Sequence, residues 1–202
     1  MFQTAPGVTI PFPDKIQEEF KVYDGKSIYA NISFEKLKPI LTEFYHSLPN
    51  LYFLYFSFLF SCMKNERWET ATPFIKMYAI LTDRQKVRLT ILLRNTEKEK
   101  YGKILLEDGM SQFAVASHVN NEEIFIQKYK LTAFYSSSPR RFIPFLQRYG
   151  LTETDNLITV WNTFSQETPG ECRLVSINGF DVYDVAEQLK KQGLYRAKII
   201  ES

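Results

Sequence analysis

The run Leu51-Tyr52-Phe53-Leu54-Tyr55-Phe56-Ser57-Phe58-Leu59-Phe60-Ser61-Cys62-Met63 decides the fold. Six of its thirteen residues are aromatic, and no charge follows until Lys64. A stretch this apolar must be covered on both faces, so it marks the core. As one strand it would be roughly 40 Å long at about 3.3 Å per residue, which predicts a bend or a bulge within it. As a helix it falls short of the roughly 20 apolar residues that a membrane span needs.

Outward from this run the pattern is that of an antiparallel meander. Residues 74–81 and 87–93 form a strand pair about Asp83-Arg84-Gln85-Lys86. In the second of them Val87, Leu89, Ile91 and Leu93 alternate with Arg88, Thr90 and Arg94, as on a sheet with one buried and one wetter face. Residues 104–107 and 113–119 flank Asp108-Gly109 as a further hairpin, and Asn120-Asn121 turns the chain into an aromatic-rich strand over 124–135. About six consecutive strands are therefore expected over 51–135.

Upstream, residues 1–14 hold Pro6, Gly7, Pro11 and Pro13 and read as an extended arm. Val22-Tyr23 and Ile28-Tyr29 flank Asp24-Gly25, a hairpin signal in which both central residues need positive φ. Ser33 is expected to cap a helix carrying Leu37, Ile40, Leu41, Phe44 and Leu48 at helical spacing, stopped by Pro49-Asn50. Downstream, Ser138-Pro139 opens a helix with Phe142, Phe145, Leu146 and Tyr149 on one stripe, closed by Gly150. Leu157, Val160, Trp161 and Phe164 repeat that spacing, with a strand as the alternative. The tail reads as strand 172–177, helix 181–191 and strand 195–200. The fold class expected is α+β: an N-terminal hairpin and helix, a curved antiparallel meander, then two helices and a terminal β-α-β segment packed against it. One domain spans 1–202, and 170–202, beyond Pro169-Gly170, is the stretch that would form any small appendage.

The chain has 202 residues, enough to bury roughly 70% of its unfolded surface without a staple. Seventeen Phe and twelve Tyr against eight Gly lean toward sheet. Cys62 and Cys172 match no metal or redox spacing; one disulfide is permitted, but Cys62 reads as a small core residue. The first residues lack a basic region followed by an apolar one, so no secretory signal is expected and the chain reads as cytoplasmic.

No phosphate-binding glycine loop, dinucleotide fingerprint or G-x-S-x-G elbow occurs, and two histidines are too few for an ordinary zinc site. His46 faces away from its helix's apolar stripe and reads as solvated. His118, beside Asn120-Asn121, reads as a surface histidine, or as an acid or base at the mouth of a cup if the sheet curls. Glu122-Glu123 opens a strand, Asp181 and Asp184 suit the first turn of a helix, and Glu97-Lys98-Glu99-Lys100 is a weak match to a nuclease motif placed in a hydrophilic loop. Neither a catalytic residue nor a cofactor or metal is assigned, and an enzyme is the less favoured class.

Charge is unevenly spread. Residues 84–103 hold Arg84, Lys86, Arg88, Arg94, Lys98, Lys100 and Lys103 against Glu97 and Glu99, a balance of +5 in a chain of +2. If strand 87–94 buries its aliphatic face, these cations form a stripe that attracts an acidic protein surface or a phosphate backbone. Lysines guarding sheet edges would look the same. Arg140 and Arg141 open a helix, where cations oppose the dipole, and so point to an external anion. The reading is a non-enzymatic interaction protein (assembly factor, adaptor, inhibitor or complex subunit) using the basic face or an exposed aromatic patch. Its alternatives are a carrier of, or enzyme on, a hydrophobic ligand held in a curved sheet, and a nucleic-acid binder using the stripe.

Overall fold

The computed structural model describes residues 2–48, 52–58, 74–81, 99–117, 119–191 and 195–200. The fold is α+β, as expected. Eleven strands are seen among these residues: β1 (Val8–Thr9), β2 (Glu19–Tyr23), β3 (Ser27–Ala30), β4 (Tyr52–Phe58), β5 (Phe74–Leu81), β6 (Ser111–Ser117), β7 (Glu122–Ile126), β8 (Thr132–Tyr135), β9 (Thr152–Glu153), β10 (Glu171–Cys172) and β11 (Tyr195–Ile200). The α-helices are α1 (Phe34–Ser47), α2 (Glu99–Glu107), α3 (Ile143–Arg148) and α4 (Val182–Lys191).

Nine strands form one sheet in the order β11-β5-β4-β6-β7-β8-β3-β2-β9, and β1 pairs with β10 in a small second sheet. All main-sheet pairings are antiparallel except the two-residue contact of β2 with β9. The apolar run supplies β4, an interior strand third from the β11 edge, bonded to β5 on one side and β6 on the other. The N-terminal hairpin continues the meander through β3 and β8, and the C-terminal strand β11 closes its other end against β5. Residues 170–202 are thus tied to the rest through β10 and β11.

The Asp24-Gly25 turn forms as its letters demand, with φ of 48° and 62°. Helix α1 buries Leu37, Ile40, Leu41 and Phe44, the stripe expected of it. Phe44 meets Phe134 at 5.9 Å and Phe142 at 5.5 Å, and Phe134 meets Phe145 at 6.3 Å, so α1, β8 and α3 share one ring cluster. Val182, Val185, Ala186 and Leu189 of α4 enter the same core.

Five local expectations are corrected. The strand expected over 124–135 is split into β7 and β8 by a 3-10 turn at Lys128–Lys130, where Tyr129 and Lys130 take positive φ. Residues 104–107 belong to helix α2, so no hairpin flanks Asp108-Gly109. Tyr101, Ile104 and Leu105 lie at helical spacing, but that stripe begins among charges, and only its apolar end stood out as a strand. Between Leu157 and Phe164 the chain makes one 3-10 turn, Val160–Thr163. Thr154 and Asn162 accept hydrogen bonds from nearby backbone N–H groups, which competes with a longer helix. Strand 172–177 shrinks to β10, and Ile177 instead bridges Phe180 across an Asn178-Gly179 turn. Ser33 places no side-chain bond on its helix; its hydroxyl accepts from the Gln3 N–H and ties down the N-terminal arm. The strand expected over 87–93 lies outside the described residues.

Candidate functional site

Three segments meet backbone to backbone at the N-terminal arm. The Gly7 N–H donates to the Glu107 carbonyl at the end of α2 at 2.7 Å, the Arg173 N–H donates to the Gly7 carbonyl at 2.7 Å, and the Gly109 N–H donates to the Arg173 carbonyl at 3.0 Å. A Cβ on Gly7 would stand 2.4 Å from the Gly109 nitrogen, and one on Gly109 would stand 2.0 Å from the Gly7 oxygen. Glycine is required at both positions for this approach.

Beneath the junction lie two buried charges. Asp108 accepts the Met110 N–H at 2.9 Å through Oδ2 and the Val175 N–H at 3.1 Å through Oδ1. Lys130 donates from Nζ to the Leu105 carbonyl in the last turn of α2 at 2.9 Å, where the helix dipole favours a cation. Burial pushes the Lys130 amine down to about 8, against the opposing pull of the Asp108 charge. Burial likewise raises the Asp108 carboxyl, although its backbone donors pull the other way. The turn presenting Lys130 is left-handed at two successive residues, Tyr129 at φ 57° and Lys130 at φ 62°.

That turn aims the Tyr129 ring at the loop of residues 159–170. The Tyr129 hydroxyl donates to the Gly170 carbonyl at 3.1 Å. Its ring packs edge-to-face on Phe164 at 4.7 Å and on Trp161 at 5.0 Å, and Trp161 meets Phe164 at 5.5 Å. A capping box between Thr159 and Asn162 fixes the turn that carries Trp161, with the Thr159 N–H donating to Asn162 Oδ1 at 2.8 Å. The Thr163 hydroxyl donates to the Val160 carbonyl at 2.7 Å. Trp161 is nevertheless 46% exposed, as is Leu174 on the segment beyond β10. Lys128 holds its ammonium 5.1 Å from the Tyr129 ring centre, and Arg173 donates to the Thr9 hydroxyl at 3.0 Å. Cys172 lies beside Tyr129 with its thiol pushed up by burial, against the charges of Lys128 and Lys130.

Of the residues expected on a basic face, Arg84, Lys86, Arg88, Arg94 and Lys98 lie outside the described residues. Lys100 and Lys103 fall on α2, and Lys103 reaches Glu107 at 3.7 Å one turn on. Arg140 and Arg141, expected to meet an outside anion, meet carboxylates of the same chain. Arg141 donates to the buried Glu122 at 2.7 Å, and Arg140 stands 3.9 Å from Glu153. His46 is exposed, as expected. Asp181 and Asp184 cap α4 reciprocally: Asp181 Oδ1 accepts the Tyr183 N–H at 2.8 Å, and Asp184 Oδ2 accepts the Asp181 N–H at 3.0 Å. His118 and Cys62 lie outside the described residues.

The surface among the described residues includes two shallow hollows. One of about 290 Å³ runs between α1 and α3, lined by Glu43, Phe44, Arg141, Phe142 and Arg148, and its guanidiniums are already paired. The other, of about 310 Å³, is polar and lined by Asp14, Gln17, Glu18, Glu19 and Thr152. No group of three potential metal ligands occurs among the described residues, and no helix among them is long and apolar enough to cross a membrane. The letters do not announce the aromatic trio around Trp161: Trp161 and Phe164 share one apolar spacing that reads as a packed element, and Tyr129 is far from both in the chain. Comparison with known protein families, curated proteins and solved structures returned no match.

Proposed function

We propose that this chain is a non-enzymatic interaction protein of the cytoplasm that docks a partner on the surface around Trp161. The observation that carries the reading is the presentation of that indole. It is half exposed, yet two rings and a capping box fix the turn beneath it. Large aromatic side chains held still before contact lose little entropy on binding, and they dominate binding energy in many interfaces. Leu174 extends the apolar area, while Lys128 and Arg173 make no ion pair among the described residues. An acidic partner surface suits these two cations, and the stripe over 84–103 would add to the attraction if it lies on the outside.

Native mass spectrometry of the chain isolated from its host, beside a Trp161→Ala variant, tests the proposal. A polypeptide retained at fixed stoichiometry by the parent chain and lost from the variant is the expected result. A co-purifying hydrophobic small molecule, or a polypeptide retained equally by both chains, would overturn it.

A further inference from the structure

The N-terminal arm, residues 2–10, makes its contacts far along the chain from the segment it leads into. The Gln3 N–H donates to the Ser33 hydroxyl at 3.1 Å, and the Phe34 N–H donates to the Gln3 carbonyl at 2.9 Å. Gly7 is bonded to Glu107 and Arg173, and Val8 and Thr9 pair in register with Cys172 and Glu171. Ala5, Val8 and Ile10 are buried in one cluster with Tyr129 and Val160. All of these partners lie between residues 33 and 173, beyond the link that joins the arm to β2.

That link is strained. It reads Pro11-Phe12-Pro13, and Phe12 stands at φ 55° and ψ 53°, in the left-handed region. There a Cβ crowds the following carbonyl oxygen. Pro13 adds to the cost, because the residue before a proline is pushed toward extended conformations. The ring gains little burial in return: it is 46% exposed, with the Lys15 ammonium 4.2 Å from its centre. The bend is completed by the Lys15 N–H donating to the Phe12 carbonyl at 3.0 Å and the Ile16 N–H donating to the Pro13 carbonyl at 3.2 Å.

We propose that the arm is exchanged between two copies of this chain. In the exchanged dimer each arm lies on the other copy and meets the same hydrogen-bond partners and the same apolar cluster. Those contacts cancel between the two forms, so the balance falls to the link and to the entropy lost on association. Running extended from one copy to the other, the link returns Phe12 to the β region, and two links are relieved in each dimer. The prolines on either side fix their own φ, which keeps the strain of the closed form on Phe12. The exchange does not depend on the role given to Trp161.

The in-register pair of Val8 and Cys172 provides the test. In a Cys62→Ser background, the Val8→Cys chain is incubated at low and at high concentration, oxidised, and sized under denaturing conditions. An interchain disulfide is expected, its share growing with the concentration of incubation, beside the intrachain disulfide of the monomer. Phe12→Gly accepts the left-handed bend without strain and is expected to lower the association constant by roughly tenfold or more. The parent chain decides the matter independently of how the cysteine variants fold. Its sedimentation velocity is expected to show a dimer that forms at high concentration and reverts slowly on dilution, since each arm must first detach. A parent chain that stays monomeric throughout, or an intrachain disulfide alone at every concentration, would overturn the exchange. So would an interchain product that survives Cys172→Ser, or a dimer undiminished by Phe12→Gly.

Discussion

Gly7 and Gly109 differ from Gly25 in what a methyl group would meet. A Cβ on Gly109 overlaps the Gly7 carbonyl, and backbone cannot swing aside as a side-chain tip can. Gly25 has a left-handed φ of +62° but nothing within 4 Å, so only the conformational cost remains. Gly109→Ala is expected to cost about 3 kcal/mol, as overpacking does, and to lower Tm by roughly 6–12 °C. Gly25→Ala is expected to cost about 1 kcal/mol and to lower Tm by roughly 2–4 °C. Calorimetry of both variants checks this, and equal shifts would contradict it. Lys130 gives a pH signature. Its amine sits at about 8 when folded and at the ordinary 10.5 when unfolded, so between these values the unfolded chain binds more protons. Stability gained through this residue therefore rises with pH from 8 to 10.5 and is flat below 8. The gap between wild type and Lys130→Met in urea unfolding should shift by about 3 kcal/mol toward the wild type over that window. A gap that does not change with pH would contradict it.

At the scale of elements, the turn at Pro139–Phe142 is held to the start of β7 by Arg141 and Glu122. Glu122 is buried, so Arg141→Ala leaves its charge without a counter-ion, held only by long hydrogen bonds from the Ser136 hydroxyl at 3.4 Å and the Asn120 amide at 3.5 Å, and is expected to cost about 3 kcal/mol. Arg148 pairs with Glu43 at an exposed place, and Arg148→Ala is expected to cost less than about 1 kcal/mol. Chemical denaturation of both variants decides it, and similar losses would contradict the distinction. The elements that were legible in sequence are those whose letters carry their own period or punctuation. The Asp24-Gly25 hairpin, the α1 stripe and the strand over 74–81 are of this kind. Helix α2 was hidden because its stripe begins among charges, and residues 154–164 because Thr and Asn side chains bond to local backbone. The 3-10 turn bearing Trp161 is too short to show a period at all.

At the scale of the molecule, distant segments converge in ways that local sequence does not announce. Gly7, Gly109 and Arg173 form one junction, and Tyr129, Trp161 and Phe164 form one ring cluster beside it. The candidate site was legible only as an inventory of aromatic and basic residues. Which rings stay exposed depends on contacts more than thirty residues apart. The claim that most needs testing is that Trp161 is fixed in place yet open to solvent before any partner arrives. Fluorescence of Trp161 in a Trp68→Phe background reads both properties, through acrylamide quenching and through the decay of anisotropy. The expected result is an indole that acrylamide quenches efficiently and that tumbles with the whole chain. An indole that rotates freely on the nanosecond scale, or one that acrylamide cannot reach, would contradict it.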